Sequence, residues 1–352
     1  TKKDELNAEK NYIQVIVSKS KKKLTSSHMI KRIQLKHFRN HDVVDLLFQK
    51  PFVYIHGLNG SGKTSILEAI YFCATTKSHR TNDEKDMIQN KEPFTSVKLW
   101  QDDDRYEIVL SKTGKRASIN GVEKRRISDF IGHLRIVMFA PEDLELIQGS
   151  PQDRRQFVDL EWMQLNKNYL RHLNTYKQVL KQRNSLLKKI GIEDDYTFLN
   201  ILGDQLYEVG SEIIRERKIF VQELNDIFRR IYHRFSVHDV EFQYEPDVDD
   251  QAFLKALQKN QKQDILYQTT MAGPHRDDFN FRFNGFEAKS YASQGEQRLM
   301  VIALKLALLE LIKEKTHQQV TLLLDDVLSE LDEEKQHLFL KELPKEHQII
   351  MN

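Results

Sequence analysis

The chain has 352 residues, 39% hydrophobic and 30% charged, enough for two lobes and a sizeable core. Lys+Arg 54 against Asp+Glu 52 leaves it nearly neutral, so global charge names no partner. Cys73 is the single cysteine, which excludes a disulfide framework or a thiolate metal site. No apolar run reaches membrane-spanning length and none resembles a signal peptide, so no membrane association and a reduced, cytoplasmic setting are expected.

Residues 1–28 differ in texture from the rest. They are lysine-rich (KSKKK at 19–23) and end in SSH before Met29. They read as an extension of cloning origin, with a native basic arm as the alternative, and are set aside from the fold. From Ile30 to Leu110 short β-like stretches dominate: IKRIQLK, VVDLLF, VKLW and YEIVL.

Among them stands FVYIHGLNGSGKTSILEAIYF, residues 52–72. Phe52 to Ile55 read as a strand, and Ile66, Leu67, Ile70 and Tyr71 give the following helix a buried stripe. Between them the residues fit G-x-x-x-x-G-K-[ST], a phosphate loop. Glycines let the backbone approach, and N–H groups at the helix start point at phosphate oxygens. Gly57, Leu58, Asn59, Gly60, Ser61, Gly62, Lys63, Thr64 and Ser65 are therefore the expected ATP-binding residues. Lys63 is expected to reach the β- and γ-phosphates, and the Thr64 hydroxyl to ligate Mg²⁺.

Residues 112–126, KTGKRASINGVEKRR, carry six cations and one acid. Asn120-Gly121 between β-formers predicts a hairpin. The cations, Lys124, Arg125 and Arg126 among them, are either a solvated face or a nucleic-acid contact. LRIVMFA at 134–140 is a further buried strand candidate.

After Pro151 the texture becomes helical. Tyr169, Leu173, Tyr176, Leu180, Arg183, Leu186 and Ile190 recur at alternating fours and threes. Leu202, Leu206, Val209, Ile213, Phe220, Leu224, Ile227 and Ile231 follow on one face. GIEDDYT lies between, so a short antiparallel pair of helices is expected. FNFRFNGFEA from Phe279 predicts a strand and turn with core-facing phenylalanines. An apolar helix over 299–312 follows.

VTLLLDD at 320–326 is a buried strand ending in two acids. Asp325 is placed to hold Mg²⁺ with Thr64, and Asp326 to orient or deprotonate an attacking water. YASQGEQRLMVIALKLALL, residues 291–309, puts Ser293, Gln294, Gly295 and Glu296 before a long helix, a second anion site. One phosphate loop with a second anion site suggests ATP shared between two copies in a two-fold dimer. Ser329 and Asp332, in LSELD, lie where a D-loop would follow that interface.

Order and content resemble the RecF family of SMC-like ABC ATPases. The resemblance runs from Met29 to the C-terminus and rests on MIKRIQLKHFRNH, KSHRT, FAPEDLELIQGSPQDRR, AGPHRDD, ASQGEQR and LLLDDVLSELD. It implies an α/β ABC-type P-loop ATPase head with an inserted helical lobe that carries a short antiparallel arm. The expected divisions are 29–150 and 279–352 for the ATPase lobe, the latter with the signature helix, and 151–278 for the helical lobe.

It further implies an ATP- and Mg²⁺-dependent homodimer and slow hydrolysis stimulated by DNA. Double-stranded DNA near gaps or single/double-strand junctions is the implied substrate surface. RecR and RecO are the implied partners in loading RecA at stalled forks, in bacterial cytoplasm at the nucleoid. Asp326 stands where wider relatives carry glutamate, a shorter reach that fits slow turnover. Gln148 is the candidate Q-loop glutamine by position. Arg80, Arg154 and Arg155, and the run from His275 to Asp278, stay open between contact and structural roles. The alternatives are a transporter motor subunit, which the helical arm disfavours, and a structural SMC-like head, which intact Lys63, Asp325 and Asp326 disfavour.

Overall fold

In the computed structural model the described residues are 13–17 and 28–352, apart from 82, 192, 193 and 345. In chain order the elements begin with β1 (Ile13–Val17), β2 (Ile30–Phe38), β3 (His41–Leu47), β4 (Phe52–Gly57) and α1 (Lys63–Thr75). Next come β5 (Phe94–Gln101), β6 (Asp104–Ser111), β7 (Gly114–Ile119), β8 (Val122–Glu123) and β9 (Ile136–Phe139). The helical stretch holds α2 (Pro151–Leu165), α3 (Lys167–Leu187) and α4 (Thr197–Tyr232). Then follow β10 (Val240–Glu245), α5 (Phe253–Lys259), α6 (Gln261–Tyr267), β11 (Asp278–Phe283), β12 (Phe286–Glu287) and α7 (Gln294–Thr316). The chain closes with β13 (Thr321–Leu324), α8 (Glu333–Glu342) and β14 (Gln348–Met351).

Two compact units divide it: Thr1–Asp143 with Leu308–Asn352, and Leu144–Ala307. Against the expected divisions after residues 150 and 278, the first part of the signature helix falls in the second unit. The first unit is built on two sheets. One has the order β1-β4-β14-β13-β9, and the other β3-β2-β5-β6-β7-β8. In the first, β4, β14, β13 and β9 run parallel, and TLLL and IVMF are buried at every position. Strands covered on both faces need such continuous apolar runs.

β1 pairs antiparallel with β4, Ile13 opposite Gly57 and Val17 opposite Val53. Part of the segment set aside at the N-terminus thus belongs to the sheet, and the remainder up to residue 27 lies outside the described residues. The second sheet is an antiparallel meander, and its β7–β8 hairpin turns at Asn120 and Gly121, both with positive φ, as Asn-Gly predicts.

Helix α1 lies against both sheets, and Ser65 to Thr75 are all buried. The sequence suggested a stripe, but a helix between two layers has no solvent face and must be apolar all round. Glu68, fully buried, is the charged exception. It receives Arg39 Nε at 3.0 Å and Nη2 at 2.6 Å, and the Ser78 hydroxyl at 2.5 Å. Burial pushes its carboxyl up, but Arg39 and Ser78 outweigh this and hold it below its ordinary value.

In the second unit α3 and α4 form the expected antiparallel pair: Leu187 meets Leu199 at one end, and Arg217 Nε donates to the Tyr169 hydroxyl at 3.1 Å further along. The helical run is broken, however. Asn166 ends α2 and caps α3, accepting from Asn168 N–H and Tyr169 N–H at 3.0 Å each, so no glycine or proline was needed. Leu180 and Leu186 are only half-buried, while Val179 and Leu187 are buried, because a straight helix drifts off a 3.5-residue repeat. Phe279, Phe281 and Phe283 face the core as expected, and Phe286 does not.

Candidate functional site

The parallel sheet brings the carboxyl ends of β4, β13 and β14 together, the usual place for a ligand in α/β folds. At the end of β4 the loop 57–62 turns into α1. Gly62 has φ 92°, and a Cβ there would run into the His41 imidazole and the Asn40 side chain. Glycine is required at that point by backbone and by space alike. His41 is itself buried, with Nε2 3.1 Å from Gly62 O, so the β2–β3 turn backs the loop. Lys63 Nζ donates to Gly57 O at 2.8 Å and Leu58 O at 3.0 Å, spanning the loop's mouth. Ser61 Oγ is buried with no hydrogen-bond partner among the described residues.

Below the loop, Thr64 Oγ1 donates to Asp325 Oδ1 at 2.9 Å, closing a gap of 261 positions. Asn352, which no sequence pattern singled out, completes this cluster. Its Nδ2 donates to Asp325 Oδ1 at 2.5 Å and lies 3.3 Å from Thr64 Oγ1, while its Oδ1 accepts from Asp326 N–H at 2.9 Å. Burial pushes the Asp325 carboxyl up, opposed by its bonds to Asn352 and Thr64.

Glu142, just beyond β9, was also missed. Its carboxyl is raised by burial and by the field of Asp325, and Arg80 Nε stands 3.7 Å from it. The buried Asp325 carboxylate beside a threonine hydroxyl, with the exposed Glu142 close enough to feel its field, makes an oxygen-rich set of donors. That donor set fits Mg²⁺, which takes one or two carboxylates and completes its shell with water and phosphate.

A cleft of about 1220 Å³ opens over these groups, lined by Gly57, Asn59, Gly60, Gly62, Lys63, Thr64, Ser65 and Asp326 among others. Asp326 is exposed in it with φ 50°, and its carboxylate makes no hydrogen bond to the described residues. Tyr54 and His56 stack at 6.0 Å on one wall, and Arg80, also bonded to Glu68 at 3.5 Å, is on the lining. The KSHRT block therefore serves this cleft and the buried Glu68.

The second anion site starts α7. Ser293 N–H donates to Glu296 Oε2 at 2.7 Å, and Glu296 N–H to Ser293 Oγ at 3.3 Å, a reciprocal cap. Gln294 and Gly295 are exposed, and a Cβ on Gly295 would meet nothing within 4 Å. Ser329 Oγ donates to Asp326 O at 2.9 Å, and Asp332 caps α8 through Lys335 N–H at 2.9 Å. Gln148 Nε2 donates to Gln297 Oε1 at 2.9 Å.

Among the remaining basic residues, Arg154 grips Asp278 at 2.8 Å and 3.1 Å, and Arg155 donates to Asp277 O at 2.7 Å. Both are held by the turn from His275 to Asp278. Of the 112–126 run, Lys115 is bound to Glu84 at 2.8 Å and to Thr76 O at 2.7 Å. Lys124, Arg125 and Arg126 have no ion-pair partner among the described residues, and Arg125 and Arg126 are exposed.

A phosphate loop, an acid-ended parallel strand and a capped S-Q-G-E helix start define the ABC-type class of P-loop ATPase heads. The family description "RecF/RecN/SMC N terminal domain" matches residues 29–352. A DNA replication and repair protein RecF of Acholeplasma laidlawii is 58% identical over 323 residues, covering 92% of this chain and 93% of that one. The RecF of Ligilactobacillus salivarius is 37% identical over 340 residues, covering 92% and 90%. A solved structure, described as the recombination mediator protein RecF-ATP in the RecFOR pathway, superposes with TM-score 0.86 at 31% identity, covering 93% of this chain and 92% of that one. The chain belongs to the RecF family of DNA replication and repair proteins, within the SMC-like ABC ATPases. No described helix is long and apolar enough to cross a membrane.

Proposed function

We propose that the protein is an ATP-gated DNA clamp of recombinational repair. The observation that carries this is the joining of Thr64, Asp325 and Asn352 beneath an open phosphate loop. Lys63 would exchange its two carbonyl partners for phosphate oxygens, a charge-assisted and stronger contact. Thr64 and Asp325 would hold Mg²⁺, whose charge neutralises that of the phosphates during transfer. Asp326 would orient or accept a proton from the attacking water, and the Tyr54–His56 wall would take the base. Slow, DNA-stimulated hydrolysis follows from the family reading.

The exposed signature, Ser293 to Glu296, is assigned to a second copy's ATP, with Ser329 and Asp332 along the same interface. Ser293→Arg is therefore expected to bind ATP like the parent protein yet remain monomeric. Sedimentation with ATP and with ADP checks this, and normal dimerisation of the variant overturns the shared-site arrangement.

Double-stranded DNA at gaps or junctions is the proposed ligand of the dimer, held mainly through phosphates. RecR and RecO are the proposed partners in promoting RecA loading, in the cytoplasm at the nucleoid. The unpaired cations Lys124, Arg125 and Arg126 support a phosphate contact, because each can release counterions. Their triple replacement by alanine is expected to weaken all duplexes alike. It should also flatten the log–log salt slope by about 0.9 per lost contact. An unchanged slope would leave the ribbon a solvated face.

A further inference from the structure

Two exposed apolar features have no cover within their own units. Leu58, inside the phosphate loop, is 63% exposed, and Phe286 and Tyr291 are 55% and 64% exposed. The two rings stack with centroids 4.7 Å apart and planes at 28°. They are rigidly carried. Tyr291 ends the one-turn helix Ala288–Tyr291, two residues before Ser293. The buried Gln297 amide donates to Ala292 O at 2.9 Å and to Ala288 O and Lys289 O at 3.3 Å each. This fixes the aromatic pair to the first turn of α7.

The pair's surroundings decide what it suits. Lys289 Nζ is already committed to Gln148 O at 2.7 Å, and the neighbouring Glu287 is exposed. With Lys289 and Glu287 flanking them, the two rings carry no excess of positive charge to hold a phosphate backbone, and they suit an aliphatic side chain. Gly295 is exposed, and a Cβ on it would meet no described residue within 4 Å, so the backbone there is open to an approaching group.

We propose that the Phe286–Tyr291 platform of one copy closes over Leu58 of a second copy, beside the contact of Ser293 with that copy's phosphates. This rests on the two-fold dimer proposed above. In such a dimer each half-site occurs twice, so both platforms and both leucines are covered. The apolar contact makes the signature recognise the loop itself as well as its ATP, and excludes water from the rim of the site.

Disulfide mapping tests it. Cys73 is the only cysteine, is fully buried, and has its thiol pushed up by burial, so it stays silent. Leu58→Cys and Tyr291→Cys are made separately, their ATP binding is measured, and they are mixed with ATP under mild oxidation. The expected result is a covalent heterodimer from the mixture and none from either variant alone. Leu58→Cys with Phe286→Cys serves as a second pair should one variant fold poorly. If sedimentation reports an ATP-driven dimer but neither pair cross-links, the contact is wrong and the dimer stands. If ATP drives no dimer, both fall. A Tyr291→Ala variant that dimerises normally but loses single-stranded oligonucleotide binding would assign the platform to base stacking and overturn the proposal.

Discussion

Replacing Asp326 with asparagine is expected to lower ATP turnover by about 10²- to 10⁴-fold, the usual contribution of a positioned proton acceptor. The residue sits at φ 50°, where Asn is as well tolerated as Asp, so the backbone should keep its turn. Its N–H stays bonded to Asn352 Oδ1 and its carbonyl to Ser329 Oγ, and neither bond involves the substituted atom. Only the carboxylate open to the cleft is lost. ATP binding should persist, and with hydrolysis slowed the nucleotide-bound dimer should outlive the parent's. Asp325→Asn is expected to act differently, weakening Mg²⁺-dependent ATP binding, because it alters the group bonded to Thr64. Single-turnover hydrolysis with sedimentation of the ATP-bound species checks both. Equal hydrolysis by Asp326→Asn and parent would move the base elsewhere, with Glu142, which feels the field of Asp325, the next carboxylate to replace.

The largest stability effect is expected at Arg217. This guanidinium is 2% exposed, and its two Nη atoms reach Asp277 Oδ2 at 2.7 Å, Pro274 O at 2.7 Å and Asp159 Oδ1 at 2.9 Å. Asp277 is fully buried and also accepts from Asp247 N–H at 2.9 Å and from the Tyr244 hydroxyl. Arg217→Met keeps much of the volume but strands two carboxylates. Removing one partner of a buried pair costs about 3–5 kcal/mol, against a typical domain stability of about 5–15 kcal/mol. Urea denaturation followed at Trp162, buried in the same unit, reads this loss directly. Adding Asp159→Asn and Asp277→Asn should recover part of it, since the stranded charges are then gone. A loss below about 1 kcal/mol would show that water reaches these carboxylates.

Arg217 was partly legible. It falls between Ile213 and Phe220 on the apolar stripe of α4, at the spacing of a core position. A charged residue there signals a buried pair, as Arg183 does on α3, where it meets Asp264 at 2.8 Å. What the stripe does not carry is the partner. Asp159 and Asp277 are 58 and 60 positions away, and helical periodicity says nothing at that range.

The features determined by sequence alone are those whose physics is local. A phosphate loop needs its glycines, lysine and threonine in one stretch, because one turn of backbone must wrap one anion. The Asn120-Gly121 hairpin, the alternating phenylalanines of β11 and the buried runs of β9 and β13 likewise follow from φ preferences and two-residue periodicity. Tertiary structure alone added Asn352 to the pair of Thr64 and Asp325 beneath the loop. Thr64, Asp325 and Asn352 come from three segments, and they converge because β4, β14 and β13 are neighbours in a parallel sheet. It also separated the cations, committing Arg154, Arg155 and Lys115 to carboxylates and carbonyls while leaving Lys124, Arg125 and Arg126 without an ion-pair partner among the described residues. A charge run in sequence has the same composition in either case. Only the fold places an acid opposite some of its members, because strand order is a property of the whole chain rather than of any stretch of it.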